Sequence, residues 1–178
     1  MRLQGNLVRL RDYREGDLEL VHQYINDAEV TVNLRPGILY PLTPNDEKKF
    51  IESQSGMSSG KYSFAIETLD GEYIGGCGVN EIDWKNSYTV VGIFIGNKDY
   101  HNSGYGTDAM NILIDFIFNE MNLNKIKLKV YSFNKRAIRC YEKCGFKQEG
   151  VLRQEIFRNG SYHDQIVMGL LRSEYKSM

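Results

Sequence analysis

Asn134 and Tyr141 lie seven residues apart in the run N-K-R-A-I-R-C-Y-E-K-C-G-F. On a helix that spacing is two turns, so both side chains share a face. A phenol with an ordinary pKa of about 10 is protonated at neutral pH and can donate to a leaving group. Upstream, V-V-G-I-F-I-G leads into Y-H-N-S-G-Y-G-T, an apolar strand followed by a glycine turn. Gly104 and Gly106 let the backbone approach a ligand closely. A helix opening from such a turn gathers free N–H groups and the positive end of its dipole at one point. That point is a seat for a phosphate. Turn, strand and second helix together read as a cofactor cradle with a proton donor beside it.

Each of these residues also has a structural use. Asn134 suits a helix N-cap and Gly145 a matching C-terminal cap. Tyr141 would serve as a packed aromatic, and G-x-G as a plain turn. Two familiar glycine motifs are excluded. No Lys-Ser or Lys-Thr follows Gly106, so this is not a P-loop. The third glycine of a dinucleotide fingerprint is missing, and the preceding strand closes a meander instead of opening a βαβ unit.

The surrounding elements follow from periodicity and turn chemistry. Alternation predicts a first strand over residues 6–11, and apolar spacing predicts a helix over 17–24 that Asn26, Asp27 and then Pro36-Gly37 break. Residues 31–42 have no clear period and read as a loop that could wall a site or simply pack. Thr43, Pro44 and Asp46 start a helix running to about Ser53. Strands follow over 62–68, 73–84 and 88–96, the first pair joined at Asp70-Gly71. Short turns make these an antiparallel meander. Next come a helix over 104–121, a strand over 126–132, a helix over 134–144, and a hairpin turning at Asn159-Gly160. In the first of these helices, Ala109, Met110, Leu113, Phe116, Ile117 and Met121 form the apolar face. Asp108, Asn111, Asp115 and Asn119 form the polar one. No repeat or linker interrupts the pattern, so residues 1–178 read as a single α+β domain with a mixed sheet.

With 178 residues the chain can bury a substantial core and has little room for a second domain. A net charge of -1 provides no basic field for nucleic acid. The basic residues Lys125, Lys127, Lys129, Lys135, Arg136 and Arg139 are expected on solvated faces. Cys77, Cys140 and Cys144 are odd in number and lack metal-site spacing, so they read as core or flanking thiols of a reduced protein. No signal core or membrane-length apolar run is present, and a cytoplasmic protein without a membrane partner is expected.

The element order, I-F-I-G-N-K-D-Y-H-N-S-G-Y-G-T-D-A, the Asn134…Tyr141 run and the R-N-G-S-Y-H-D hairpin resemble the GNAT superfamily of N-acetyltransferases. The branch that looks nearest contains ribosomal-protein N-terminal and spermidine acetyltransferases. The resemblance covers nearly the whole chain. It implies a mostly antiparallel sheet with one splayed parallel strand pair, flanked by helices, and acetyl-CoA as cosubstrate. The pantetheine arm would bond the backbone near Phe94 and Ile95. The pyrophosphate would take N–H groups of His101, Asn102, Ser103, Gly104, Tyr105, Gly106 and Thr107. Asn134 would contact the pantetheine or acetyl end, Lys143 joins the cofactor-binding set, and Tyr141 stands near the sulfur. His101 departs from the Gln or Arg usual at the first position of the turn and supplies less charge when neutral.

The implied chemistry is direct attack of an amine on the thioester, through a tetrahedral oxyanion that expels the thiolate. Tyr141 would protonate the sulfur. The acid that many relatives carry on the strand before the turn is Val90 here, so Glu81 and Asp83 are the nearest bases, acting directly or through water. His22 and His163 read as structural or exposed. Residues 30–40 and the terminal hairpin should form the acceptor side. That loop holds one Arg and no acid, which counts against spermidine and leaves a protein N-terminus, an amino sugar or another small amine. Relatives often form homodimers. The alternative from another class is a non-catalytic acyl-CoA-binding or regulatory domain of the same fold.

Overall fold

The computed structural model describes residues 3–34, 37–39, 41–43, 45–46, 48–49 and 62–175. The predicted meander is present as β2 (Tyr62–Thr68), β3 (Tyr73–Asp83) and β4 (Tyr88–Ile95). It joins β1 (Val8–Arg11), β5 (Lys125–Tyr131), β6 (Lys147–Arg158) and β7 (Ser161–Leu171) in one sheet of order β1-β2-β3-β4-β5-β7-β6. Only β4 and β5 pair in parallel; the other neighbours are antiparallel. Helices α1 (Leu18–Asn26), α2 (Ala28–Thr31), α3 (Tyr105–Asn119) and α4 (Lys135–Lys143) complete the described elements used below.

The short helix α2 falls where Asn26 and Asp27 were expected only to break α1. Asp27 does end α1, and its side chain then caps α2 by accepting from Glu29 N–H at 2.8 Å. The helix expected from Thr43 opens with a reciprocal cap. Thr43 N–H donates to Asp46 Oδ2 at 3.0 Å, and Asp46 N–H donates to Thr43 Oγ1 at 3.3 Å. Most of its length lies outside the described residues.

Helix α3 is the main core element. Ala109, Met110, Leu113 and Ile117 are buried as expected, and Ile112, Ile114 and Phe118 join them. Phe116 is only partly covered and meets the Phe64 ring edge-on at 5.4 Å. Asp108 corrects the expected polar face, because it is buried at 8% exposure. Its carboxylate accepts the backbone N–H groups of Asn6 (3.2 Å), Leu7 (2.8 Å) and Val8 (3.0 Å). An acid in the first turn of a helix is favoured by the dipole, and here it also fixes the entry to β1.

A second charged knot closes the other end of β1. Glu67 on β2 is 2% exposed and accepts from Arg9 and from Arg11, the latter at 2.6 Å. Arg11 also reaches Asp17 with two bonds, at 2.7 and 2.8 Å. Burial works against the charged form of Glu67, but the bonds from Arg11 and Arg9 outweigh it and hold its pKa below the ordinary value. Asp17 shows the same balance, with burial opposed by Arg11 and the Arg14 N–H. A carboxylate depressed in the folded state stabilises above its unfolded pKa of about 4, and that stability is lost as pH falls through the folded value. Thermal unfolding followed by circular dichroism should therefore show the midpoint falling as pH drops below about 5, and Glu67→Gln should flatten that fall. An identical pH dependence in the variant would contradict this account of the knot.

Candidate active site

Strands β4 and β5 pair only at Tyr88–Lys125, Thr89–Ile126 and Val90–Lys127. Beyond that point neither strand ends. β4 stays on β3 as far as Ile95–Gly75, and β5 stays on β7 as far as Tyr131–Gln165. The two strands diverge, and the edge of β4 facing β5 has no strand partner over residues 91–95. A cleft of about 770 Å³ opens there. Backbone groups on such an edge need partners when covered, so a ligand carrying its own amides fits it.

The glycine turn and the start of α3 close one end of the cleft. Gly104 is the N-cap with φ 91°, a conformation glycine adopts without strain, and no side chain caps the helix. Its first N–H groups are thus left to a ligand. His101, Asn102, Gly104, Gly106 and Thr107 line the cleft, as do Phe94 and Ile95. The Ser103 and Tyr105 side chains do not. Ser103 Oγ donates to His101 O at 3.2 Å, and the Tyr105 ring packs edge-on against Tyr100 at 4.7 Å.

Helix α4 forms the facing wall. Asn134 precedes the helix as its N-cap, instead of sitting inside it, and its Oδ1 accepts from Ala137 N–H at 3.2 Å. The capping role and a place on the cleft wall therefore coexist, with the amide NH2 left to the cleft. Tyr141 also lines the cleft, yet it is 6% exposed and packs edge-on against Phe146 at 5.9 Å. Burial raises its pKa, which keeps the phenol protonated at neutral pH. Lys143 lines the cleft with an exposed side chain. Gly145, at φ 92°, ends the segment as expected.

Of the basic residues expected on solvated faces, Lys129 and Arg139 are exposed and also line the cleft, and Arg136 lines it half-buried. Lys125 instead pairs with Glu149 at 2.6 Å, and Lys127 stands over the Tyr88 ring at 3.4 Å. The Arg136 guanidinium donates to His101 Nδ1, and His101 Nε2 lies 2.9 Å from Ile95 O. A carbonyl only accepts, so Nε2 carries the hydrogen and the imidazole is neutral. Burial, followed by the Arg136 charge, lowers the His101 pKa against the opposing Ile95 bond.

At the other end of the cleft, a bulge in β3 between Val79 and Glu81 sets Glu81 directly across from Val90. Glu81 is exposed and lines the cleft. The acid missing at Val90 thus has a neighbour one strand away. Asp83 is committed elsewhere: its carboxylate accepts the N–H and side-chain amide of Asn86, both at 2.8 Å. Val30 of α2 and Asn33 and Leu34 of the unpatterned loop line the cleft, whereas Arg35, Pro36 and Tyr40 lie outside the described residues. Tyr13 also lines it and had no sequence signal of its own. A methyl group on Gly76 would collide with its hydroxyl, so the glycine-rich stretch of β3 marks the space this ring needs.

Cys140 and Cys144 pin α4 to the cradle. Cys140 Sγ meets Thr107 Oγ1 at 3.5 Å, and Cys144 Sγ meets Thr107 O at 3.8 Å. The hydrogen bond from Cys144, followed by that from Thr107, pulls the Cys140 thiol down, whereas the same sulfur pair pushes Cys144 up. Burial alone pushes Cys77 up. Alkylation by limiting iodoacetamide near about pH 8, read by peptide mass spectrometry, should label Cys140 first and spare Cys77 until unfolding. Labelling of Cys77 at the rate of Cys140 would contradict the burial and the thiol network together.

The acetyltransferase (GNAT) domain model matches residues 8–147. Spermidine N(1)-acetyltransferase of Escherichia coli K12 is 32% identical, over 94% of this chain and 88% of that protein. The SPbeta prophage-derived N-acetyltransferase YokL of Bacillus subtilis is 29% identical over 97% of this chain and 94% of that protein. A crystal structure of spermidine N-acetyltransferase from Vibrio cholerae, in complex with CoA and spermine, superposes with a TM-score of 0.82 at 28% identity. It covers 94% of this chain and 96% of that one. The diverging parallel pair, the uncapped glycine turn and these matches agree: the chain belongs to the GNAT acetyltransferase family.

Proposed function

We propose that this chain transfers an acetyl group from acetyl-CoA to a primary amine, with the cleft between β4 and β5 as its cosubstrate seat. The unpartnered edge of β4 over residues 91–95 carries the reading. Backbone groups near Phe94 and Ile95 take the pantetheine amides. The N–H groups of residues 101–107 take the pyrophosphate, those of Ser103 and Tyr105 through the backbone alone. Asn134 turns its free NH2 to the pantetheine or acetyl end, and Lys143 adds charge at the rim. Acetyl-CoA supplies the activated acyl group; the chain supplies orientation, donors and protons.

Tyr141 is the proton donor to the departing sulfur. Its raised pKa supports this, because a donor must hold its proton until the leaving group forms. Glu81 is the base, acting directly or through water on the incoming amine. It is the one acid lining the cleft among the described residues. Asp27 and Glu29, which flank the acceptor loop, are both engaged by Lys98, at 3.0 and 3.4 Å. This supports an acceptor with a single amine, such as a protein N-terminus or a small amine, over an extended polyamine. The protein is read as a cytoplasmic homodimer; no described helix is long and apolar enough to cross a membrane. Sedimentation at working concentration checks the dimer.

Tyr141→Phe tests the chemistry. It should lower kcat by about 10- to 1,000-fold with acetyl-CoA affinity by calorimetry unchanged and the thermal midpoint kept. Transfer is scored with peptide, polyamine and aminoglycoside amines. Unchanged turnover would remove Tyr141 from the mechanism. Tight acetyl-CoA binding with no transfer to any amine would favour the non-catalytic reading.

A further inference from the structure

Arg136 differs from the other basic side chains of the cleft. It lies in the first turn of α4, is partly buried, and gives one N–H to His101 Nδ1. Among the described residues it has no carboxylate partner, and burial pulls its pKa below that of an ordinary arginine. Elsewhere the pattern is different: Arg11 meets Asp17 and Glu67, Lys98 meets Asp27, and Lys125 meets Glu149. A half-buried guanidinium without a counter-ion is unfavourable, and a bound anion relieves the cost. Four of its five donors remain for that anion.

His101 fixes where those donors lie. Its ring is bonded at both nitrogens, to Ile95 O at the end of β4 and to Arg136 at the start of α4. It therefore spans the end of the cleft closed by the glycine turn and holds the guanidinium beside residues 101–107. Arg139 and Lys143, further along α4, are exposed and lack such a tether.

We infer that Arg136, held in place by His101, binds the pyrophosphate of the CoA cosubstrate and supplies the charge that a neutral His101 at the first position of the turn does not. The inference rests on the acetyl-CoA reading above. A planar guanidinium suits two phosphate oxygens at once, and a lysine matches it only in charge. His101 is then a positioning residue, acting through Arg136.

The test is calorimetry with acetyl-CoA, acetyl-dephospho-CoA, which lacks only the 3′-phosphate, and acetyl-pantetheine, which lacks every phosphate. Arg136→Gln should weaken the first two equally, by about tenfold to a hundredfold, and leave acetyl-pantetheine unchanged. Arg136→Lys should recover part of the loss. His101→Ala should lower the ratio of acetyl-CoA to acetyl-pantetheine affinity in the wild type and leave that ratio alone in the Arg136→Gln background. Equal losses for all three ligands would make Arg136 structural, and a loss confined to acetyl-CoA would assign it to the 3′-phosphate; either overturns the inference. So would wild-type affinities in Arg136→Gln. If the wild-type protein itself binds none of the three, the cosubstrate reading fails first and this inference with it.

Discussion

The separation of two parallel strands is the constraint on which the rest of the molecule depends. β4 and β5 share only three residue pairs, and each then follows its other neighbour. A sheet interior normally saturates its backbone groups. Here the ladder is given up over the second half of β4, and the divergence persists because both strands remain tied on their outer edges. Every residue proposed for the cosubstrate lies on one side of this gap or at its ends.

Helix α3 holds the gap open and gives it polarity. Its apolar body is buried against the sheet, so its N-terminus is fixed relative to β4. Asp108 ties the same turn to the entry of β1, which lies about a hundred residues earlier in the chain. Thr107 ties it to α4 through Cys140 and Cys144. The His101 ring adds a third connection, from Ile95 to Arg136. The glycine-turn end of the cleft is therefore tied at three points, whereas the end at Glu81 rests on a bulge and a loop. That division suits an enzyme family that keeps one cosubstrate and varies its acceptor.

Much of this was legible before the structure. Apolar patterns together with turn residues such as Asp70-Gly71 and Asn159-Gly160 located the meander, α3, β5, α4 and the terminal hairpin, although β3 is buried along most of its length and β6 is mostly exposed. The divergence of β4 and β5 came from family resemblance alone; no local pattern encodes it. Asp108 was misread as solvated because its three partners are far away in sequence. Arg136 was misread for the same reason: a basic residue on a polar helix looks solvated until His101, thirty-five residues earlier, is seen against it. Helix α2 was missed because four residues cannot establish a period, although Asp27 was recognised as a break. The acid absent at Val90 was sought on β3, and only the bulge shows why Glu81 meets the cleft while Asp83 turns to Asn86.

The most direct test of the central claim is amide hydrogen exchange of β4 with and without CoA. The N–H groups over residues 91–95 that face the gap should exchange freely in the unliganded protein and slow by about tenfold or more with saturating CoA. Those facing β3 should be protected in both states. Slow exchange of the whole segment without ligand, or no change on adding CoA, would contradict the account, because the open edge of β4 would then not be where the cosubstrate sits.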